Sequence, residues 1–113
     1  MDRITKEQRS KNMRAVKVEY TVKPEYVATN KANIQKVMDE LRSLGNTGIL
    51  YSTYVKEDGV SFVHFSIHRD AEEPNILTAL PAFKAFTTQL RAEGIVTPPQ
   101  TVKLDMVGKS FDL

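Results

Sequence analysis

Residues 49–67 read ILYSTYVKEDGVSFVHFSI, two runs rich in β-branched and aromatic residues on either side of Asp58-Gly59. That dipeptide between such runs is among the strongest short-range hairpin signals, because both residues tolerate the positive φ of a tight turn. With the turn placed there, Thr53 faces His64 and Tyr51 faces Ser66. Side chains alternate across a strand. One face of the hairpin therefore carries Leu50, Ser52, Tyr54, Val63, Phe65 and Ile67, and the other carries Ile49, Tyr51, Thr53, Val55, Phe62, His64, Ser66 and His68. A lone hairpin is marginal in water, so the flanks must supply more strands and a cover.

They do so symmetrically. RAVKVEYT (14–21) alternates strictly, with Val16, Val18 and Tyr20 on one side and Lys17, Glu19 and Thr21 on the other, a half-buried strand. Beyond Lys23-Pro24, Ile34, Val37, Met38, Leu41 and Leu44 recur at helical spacing until Gly45, predicting a helix over about 25–44. After the polar stretch HRDAEEPN, the stripe Leu80, Phe83, Phe86 and Leu90 predicts a second helix. It should start near Leu80, because Pro81 is comfortable only in a first turn, with a short lead-in over 75–79 and a stop at Gly94. TVKLDMV after Pro98-Pro99 alternates again and reads as the last strand. The order βαββαβ implies an α+β, ferredoxin-like sandwich with antiparallel strand order 4-1-3-2 and both helices on one face.

The helices are expected to cover the apolar set Val16, Val18, Val63, Phe65, Ile67, Leu104 and Leu50. The other face would then show Lys17, Glu19, Tyr51, Thr53, Val55, Phe62, His64, His68, Lys103 and Asp105, too apolar to be left in water. Its most economical cover is a second copy, sheet against sheet, making a homodimer around a barrel-like cavity.

Composition narrows the function. The 113 residues contain no cysteine, which removes disulfides, thiol nucleophiles and thiolate zinc sites. No apolar run is long enough to cross a bilayer, and the start is charged from Asp2 onward, so a soluble cytoplasmic protein is expected. No glycine-rich phosphate loop, nucleophile elbow or metal-ligand cluster is present, so no metal and no cofactor is expected. Charge is uneven: residues 1–17 hold six cations against two anions, a net +4, whereas residues 18–113 hold ten cations and twelve anions, a net −2. The basic character belongs to the leader, and the body lacks the electropositive footprint of a nucleic-acid-binding domain.

Residues 1–13 are read as a basic extension, with Thr5 and Gln8 able to cap a short helix over 6–13, and 14–113 as one domain. RSKNMRAVK, preceded by Asp2, Arg3, Thr5 and Glu7, is similar to the start of the very-short-patch mismatch repair endonucleases. The Pro-Asp metal motif and the cysteine and histidine zinc ligands of that family have no counterpart after Lys17, so the leader reads as a solvated extension. The alternative is contact with nucleic acid.

A second resemblance spans residues 15–113. Val22-Lys23-Pro24 after the first strand, the hairpin of 48–68, and Ala79-Leu80-Pro81-Ala82-Phe83-Lys84-Ala85-Phe86 followed by Leu90 resemble the antibiotic biosynthesis monooxygenase-like dimeric α+β barrels. The resemblance implies the fold and a homodimer. It also implies a range of chemistries: cofactor-independent oxygenases of polyaromatic substrates, haem-degrading enzymes and isomerases. The family's oxygenases and haem-degrading members rely on a tryptophan with an asparagine and a histidine, and this chain has no tryptophan and no asparagine in its first strand.

The candidate catalytic set is His64 as base, with Tyr51 or Glu19 positioning the substrate. Thr53, Phe62, Ser66, His68 and Asp105 are candidate ligand-pocket residues. Each has a plainer reading. His64 could be held by Thr53 or Glu19, or sit in the dimer interface. Tyr51 could simply fill the barrel, and Glu19 with Asp105 could belong to cross-strand pairing with Lys17 and Lys103. The chain is expected to bind a small hydrophobic or aromatic molecule, the alternative being a metal-free monooxygenase of an aromatic or quinol-like substrate.

Overall fold

The computed structural model describes residues 13–45, 47–69 and 76–112. The basic leader, its expected helix and its possible nucleic-acid contact lie outside them, as does most of the polar stretch before the second helix.

Strand β1 (Arg14–Val22) is followed by a 3-10 turn (Pro24–Tyr26) and helix α1 (Val27–Ser43). Pro24 opens this helical stretch, where its missing N–H is no loss. Tyr26, Asn30, Ile34, Val37 and Leu41 form its buried stripe. Gly45, at φ +78°, stops it in a conformation that favours glycine. Strands β2 (Ile49–Val55) and β3 (Ser61–His68) form the hairpin in the expected register, Thr53 opposite His64 and Tyr51 opposite Ser66. The turn is wider than two residues. Within it only Gly59 has positive φ, and Lys56 N–H donates to the Ser61 carbonyl at 2.8 Å. The Asp58 carboxylate accepts from the Val60 and Ser61 amides and the Ser61 hydroxyl, which holds its pKa below the usual range.

Helix α2 (Ile76–Ala79) and helix α3 (Pro81–Gln89) are separated by Leu80, whose extended backbone (ψ 131°) presents Pro81 at the first turn of α3. Glu40 of α1 accepts the Ala82 N–H at that N-terminus (3.1 Å), and Asn33 donates to Gln89 (2.8 Å), tying the two helices together. A π turn (Leu90–Gly94) delivers the chain to β4 (Ile95–Asp105). The Tyr26 ring lies where a β-carbon on Gly94 would stand, so only glycine admits this contact. Strand β4 begins at Ile95, well before the alternation after Pro99 implied. Pro98 and Pro99 are tolerated because β4 is an edge strand and the β1–β4 register shifts beside them, between Glu19 and Thr21.

The sheet order is β2-β3-β1-β4 with all pairs antiparallel, the ferredoxin-like α+β topology. Two expectations are reversed: which hairpin face the helices cover, and which side of β4. Lys103 pairs with Val16 and Asp105 with Arg14, while Leu104, expected under the helices, pairs with Ala15. β1 pairs Val16 with Ser66, Val18 with His64 and Tyr20 with Phe62. The valines of β1 therefore share a face with Phe62, His64, Tyr51 and Thr53, and that face is the one under the helices. Its core includes Val22, Phe62, Leu80, Phe86 and Leu90. Val63, Phe65, Ile67 and Leu50 lie on the other side with Ala15, Lys17, Glu19, Val102 and Leu104. The reason is chemical: alternation counted a histidine and a tyrosine as outward residues, whereas here they bury each other's polar atoms.

Candidate functional site

A cavity of about 290 Å³ lies between the helices and the covered face of the sheet. Val16 and Val18 of β1 form its floor, Leu77, Phe83, Phe86 and Leu90 its roof, and Pro99 and Thr101 of β4 part of its rim. The volume is near the lower end of the roughly 300–1,000 Å³ usual for small-molecule sites. Among the described residues no carboxylate lines it, and Arg91 of the π turn is its one permanent cation.

The polar part is a chain of buried side chains passing through His64, which is 5 % exposed. Asn30 Nδ2 donates to Tyr20 Oη at 2.9 Å. Tyr20 Oη lies 2.7 Å from His64 Nε2, and His64 Nδ1 lies 2.6 Å from Tyr51 Oη and 3.1 Å from Thr53 Oγ1. The imidazole sits among aromatic rings, with centroid separations of 5.2 Å to Tyr20, 5.8 Å to Tyr51 and 5.6 Å to Phe86. Burial pushes its pKa down to about 4, and burial raises both phenols, only partly offset by the Asn30 bond to Tyr20 and by Thr53 beside Tyr51. At neutral pH the whole chain is uncharged.

This state limits the chemistry. A base of pKa about 4 facing a phenol of about 10 would take its proton uphill by roughly 6 units, about 8 kcal/mol. The site is therefore organised to hydrogen-bond more than to abstract protons.

The candidate residues separate accordingly. His64, Tyr51, Ser66 and His68 line the cavity, with His68 Nε2 3.0 Å from Ser66 Oγ and its pKa lowered by burial and by Arg14. Thr53 supports His64 from behind. Phe62 is core, stacked on Tyr20 at 5.8 Å. Asp105 is exposed at the end of β4, paired in register with Arg14 and outside the cavity lining. Glu19 is on the opposite face, where Lys56 (3.0 Å) and Lys17 (3.9 Å) hold it, so it cannot reach a ligand beside His64. Sequence reasoning missed Tyr20, which looked like an ordinary strand apolar residue, and Asn30. The signal for Asn30 was its position four residues before Ile34 on the apolar stripe of α1, where a polar residue needs a buried partner. Among the described residues no cluster of His, Asp or Glu could hold a metal, and no helix is long and apolar enough to cross a membrane.

No family model matches the chain. No curated protein matches it either. Solved structures do. A Bacteroides thetaiotaomicron protein described as a candidate antibiotic biosynthesis monooxygenase superposes with a TM-score of 0.74 at 12% identity, over 92% of this chain and 98% of that one. A Nitrosomonas europaea protein of unknown function gives 0.71 at 13%, over 92% and 98%. SnoaB of Streptomyces nogalater, a cofactor-independent oxygenase, gives 0.66 at 14%, over 89% and 99%. The fold is that of the antibiotic biosynthesis monooxygenase structures. Identities this low carry the architecture of that group and leave its chemistry to be argued from the residues above.

Proposed function

We propose that the chain is a homodimeric α+β barrel that binds a small, mostly apolar aromatic molecule in the cavity of each protomer. The observation that carries this reading is a 290 Å³ apolar space into which a single buried polar chain converges at Tyr51 and His64. Calorimetric and NMR titration with one- to three-ring aromatics should show saturable binding at one per protomer, with shifts centred on Tyr51, His64 and Phe86. A cavity that binds none of them at millimolar concentration, or shifts confined to the outer face, overturns it.

The dimer follows from the uncovered face. Tyr54 (56 % exposed) and Val102 (47 %) join Leu50 and Leu104 there, around Phe65 and Val63. A second copy laid sheet to sheet would bury this surface, as the shape of the fold allows. Sedimentation should give twice the chain mass at micromolar concentration, falling to one chain mass in Leu104→Arg with circular dichroism unchanged. A wild-type monomer there defeats the dimer and leaves the cavity reading intact.

A second reading is metal-free oxygenation. Its support is the His64–Tyr51 pair facing a mostly apolar cavity, together with a fold shared with SnoaB. In the balanced reaction a ring methylene of the activated aromatic substrate gives up both hydrogens and four electrons to dioxygen. One oxygen atom stays on that carbon as a ketone, and the other leaves with the two hydrogens as water. Oxygen uptake with an anthrone, lost in His64→Ala, would support this reading; undiminished uptake in that variant removes His64 as the base.

A further inference from the structure

The polar chain beneath the cavity has a direction, and the direction follows from counting protons. Asn30 is fully buried and gives its Nδ2–H to Tyr20 Oη. Among the described residues Tyr20, 2 % exposed, has two polar neighbours at its hydroxyl, that amide and His64 Nε2. The amide nitrogen cannot accept a hydrogen bond, so the Tyr20 proton must go to Nε2. A neutral imidazole carries one proton, which is then on Nδ1 and is donated to Tyr51 Oη, 2.6 Å away, with Thr53 Oγ1 the longer alternative at 3.1 Å. Tyr51 Oη is thus an acceptor on its buried side. The adjacent Thr53 hydroxyl also bonds Tyr51 in the sense that lowers the phenol's pKa, donating to its oxygen, so the Tyr51 hydrogen is left for the cavity.

Turning the Asn30 amide over would reverse every bond in the chain. In the observed orientation one buried side-chain carbonyl oxygen, Asn30 Oδ1, lacks a partner among the described residues. The reversed orientation would strand an NH2 group with two protons instead, and orphaned buried donors are the rarer and costlier case. Chains of hydrogen bonds also polarise one another in a dry interior, so each donor upstream strengthens the next.

We propose that Asn30, Tyr20 and His64 form a one-way hydrogen-bond relay that fixes Tyr51 as a donor into the cavity, so that the site selects aromatic ligands bearing an acceptor oxygen, such as a ketone, a quinone or a carboxylate. The charged part of the lining agrees: among the described residues it has no carboxylate to receive a ligand's proton, and Arg91 offers a further donor, while the Ser66, Thr87 and Thr101 hydroxyls can serve either role. Asn30 lies outside the lining and acts here as a positioning residue; Tyr20 lines the cavity, but its hydroxyl is engaged by Asn30 and His64, so it too acts on Tyr51 through the relay. The selectivity rests on the cavity being a binding site, whereas the relay is a property of the free protein, and the two are tested separately.

The relay is read from the nitrogen-15 shifts of the His64 imidazole in the ligand-free wild type. The expected result is the Nδ1–H tautomer, and Tyr20→Phe should turn it into a mixture of both tautomers. An Nε2–H tautomer in the wild type overturns the proposal. Selectivity is read by titrating two neutral bicyclic probes of similar shape, 1-indanone, which only accepts, and indole, which only donates. One neutral hydrogen bond corresponds to about tenfold in affinity, so 1-indanone should bind about tenfold tighter, and Tyr51→Phe should erase that difference while both probes still bind. Equal or tighter binding of indole to the wild type overturns the selectivity. If neither probe binds, the cavity reading fails and the tautomer alone decides the relay.

Discussion

The two faces of this sheet carry similar amounts of aromatic and aliphatic side chain and use them for different ends. Under the helices, Phe62, Tyr20 and Val22 are almost wholly enclosed, and the hydroxyls of Tyr20 and Tyr51 are joined through His64, with Asn30 Oδ1 left over. On the open side Tyr54, Leu50, Val102 and Leu104 face outward, bordered by the Glu19, Lys17 and Lys56 charges. Enclosure of polar groups marks the face that can recognise a ligand. Apolar surface without such a network marks the face suited to the proposed association.

If that contrast is right, truncation should cost most where enclosure is greatest. Phe62→Ala is expected to lose about 3–5 kcal/mol of stability, measured by urea unfolding. A value below about 1 kcal/mol, the size of an ordinary surface change, would erase the distinction between the faces.

Acidification should act next most strongly, through the same face. His64 is held near 4 in the folded chain against about 6.5 unfolded, so the unfolded state binds the extra proton first. Stability from this group is complete above pH about 6.5 and falls as pH drops toward 4, by on the order of 3 kcal/mol. His68, also lowered, adds loss in the same direction. Unfolding curves at stepped pH check this, and His64→Gln should flatten most of the slope.

At the base of the helix layer, Gly94→Ala should cost roughly 1–3 kcal/mol, because its methyl must displace the Tyr26 ring. The smallest effect belongs to the open side. Glu19→Gln breaks only partly exposed ion pairs, worth up to about 1 kcal/mol, and should leave ligand binding unchanged. A loss of binding there would contradict the assignment of Glu19 to the outer face.

Much of this was legible in the sequence for local reasons. Asp58-Gly59 set the hairpin register, the Ile34–Leu41 stripe set α1, and Pro81 set the start of α3. What alternation could not settle was the pairing of β1's two sides with the hairpin's two sides, because β3 is apolar on both: Phe62 faces one way and Val63 the other. Ranking Val63, Phe65 and Ile67 above Phe62, His64 and Ser66 by hydrophobicity gave the wrong cover. The deciding quantity was mutual satisfaction of Tyr20, His64, Tyr51 and Asn30, residues from three strands and a helix whose proximity is a tertiary fact. Period-two reading still grouped His64, Tyr51, Thr53, Ser66 and His68 correctly. It failed for Glu19, because that grouping crossed from one strand to another.

The paired prolines of β4 have one further consequence. An outer strand with free amides can template another chain and extend into open-ended filaments, but Pro98 and Pro99 carry no N–H, and because amides of a strand alternate between its two edges, the pair interrupts the row of donors on this rim. Growth in the plane of the sheet is thereby discouraged at that border, which favours a closed assembly of fixed size over a polymer.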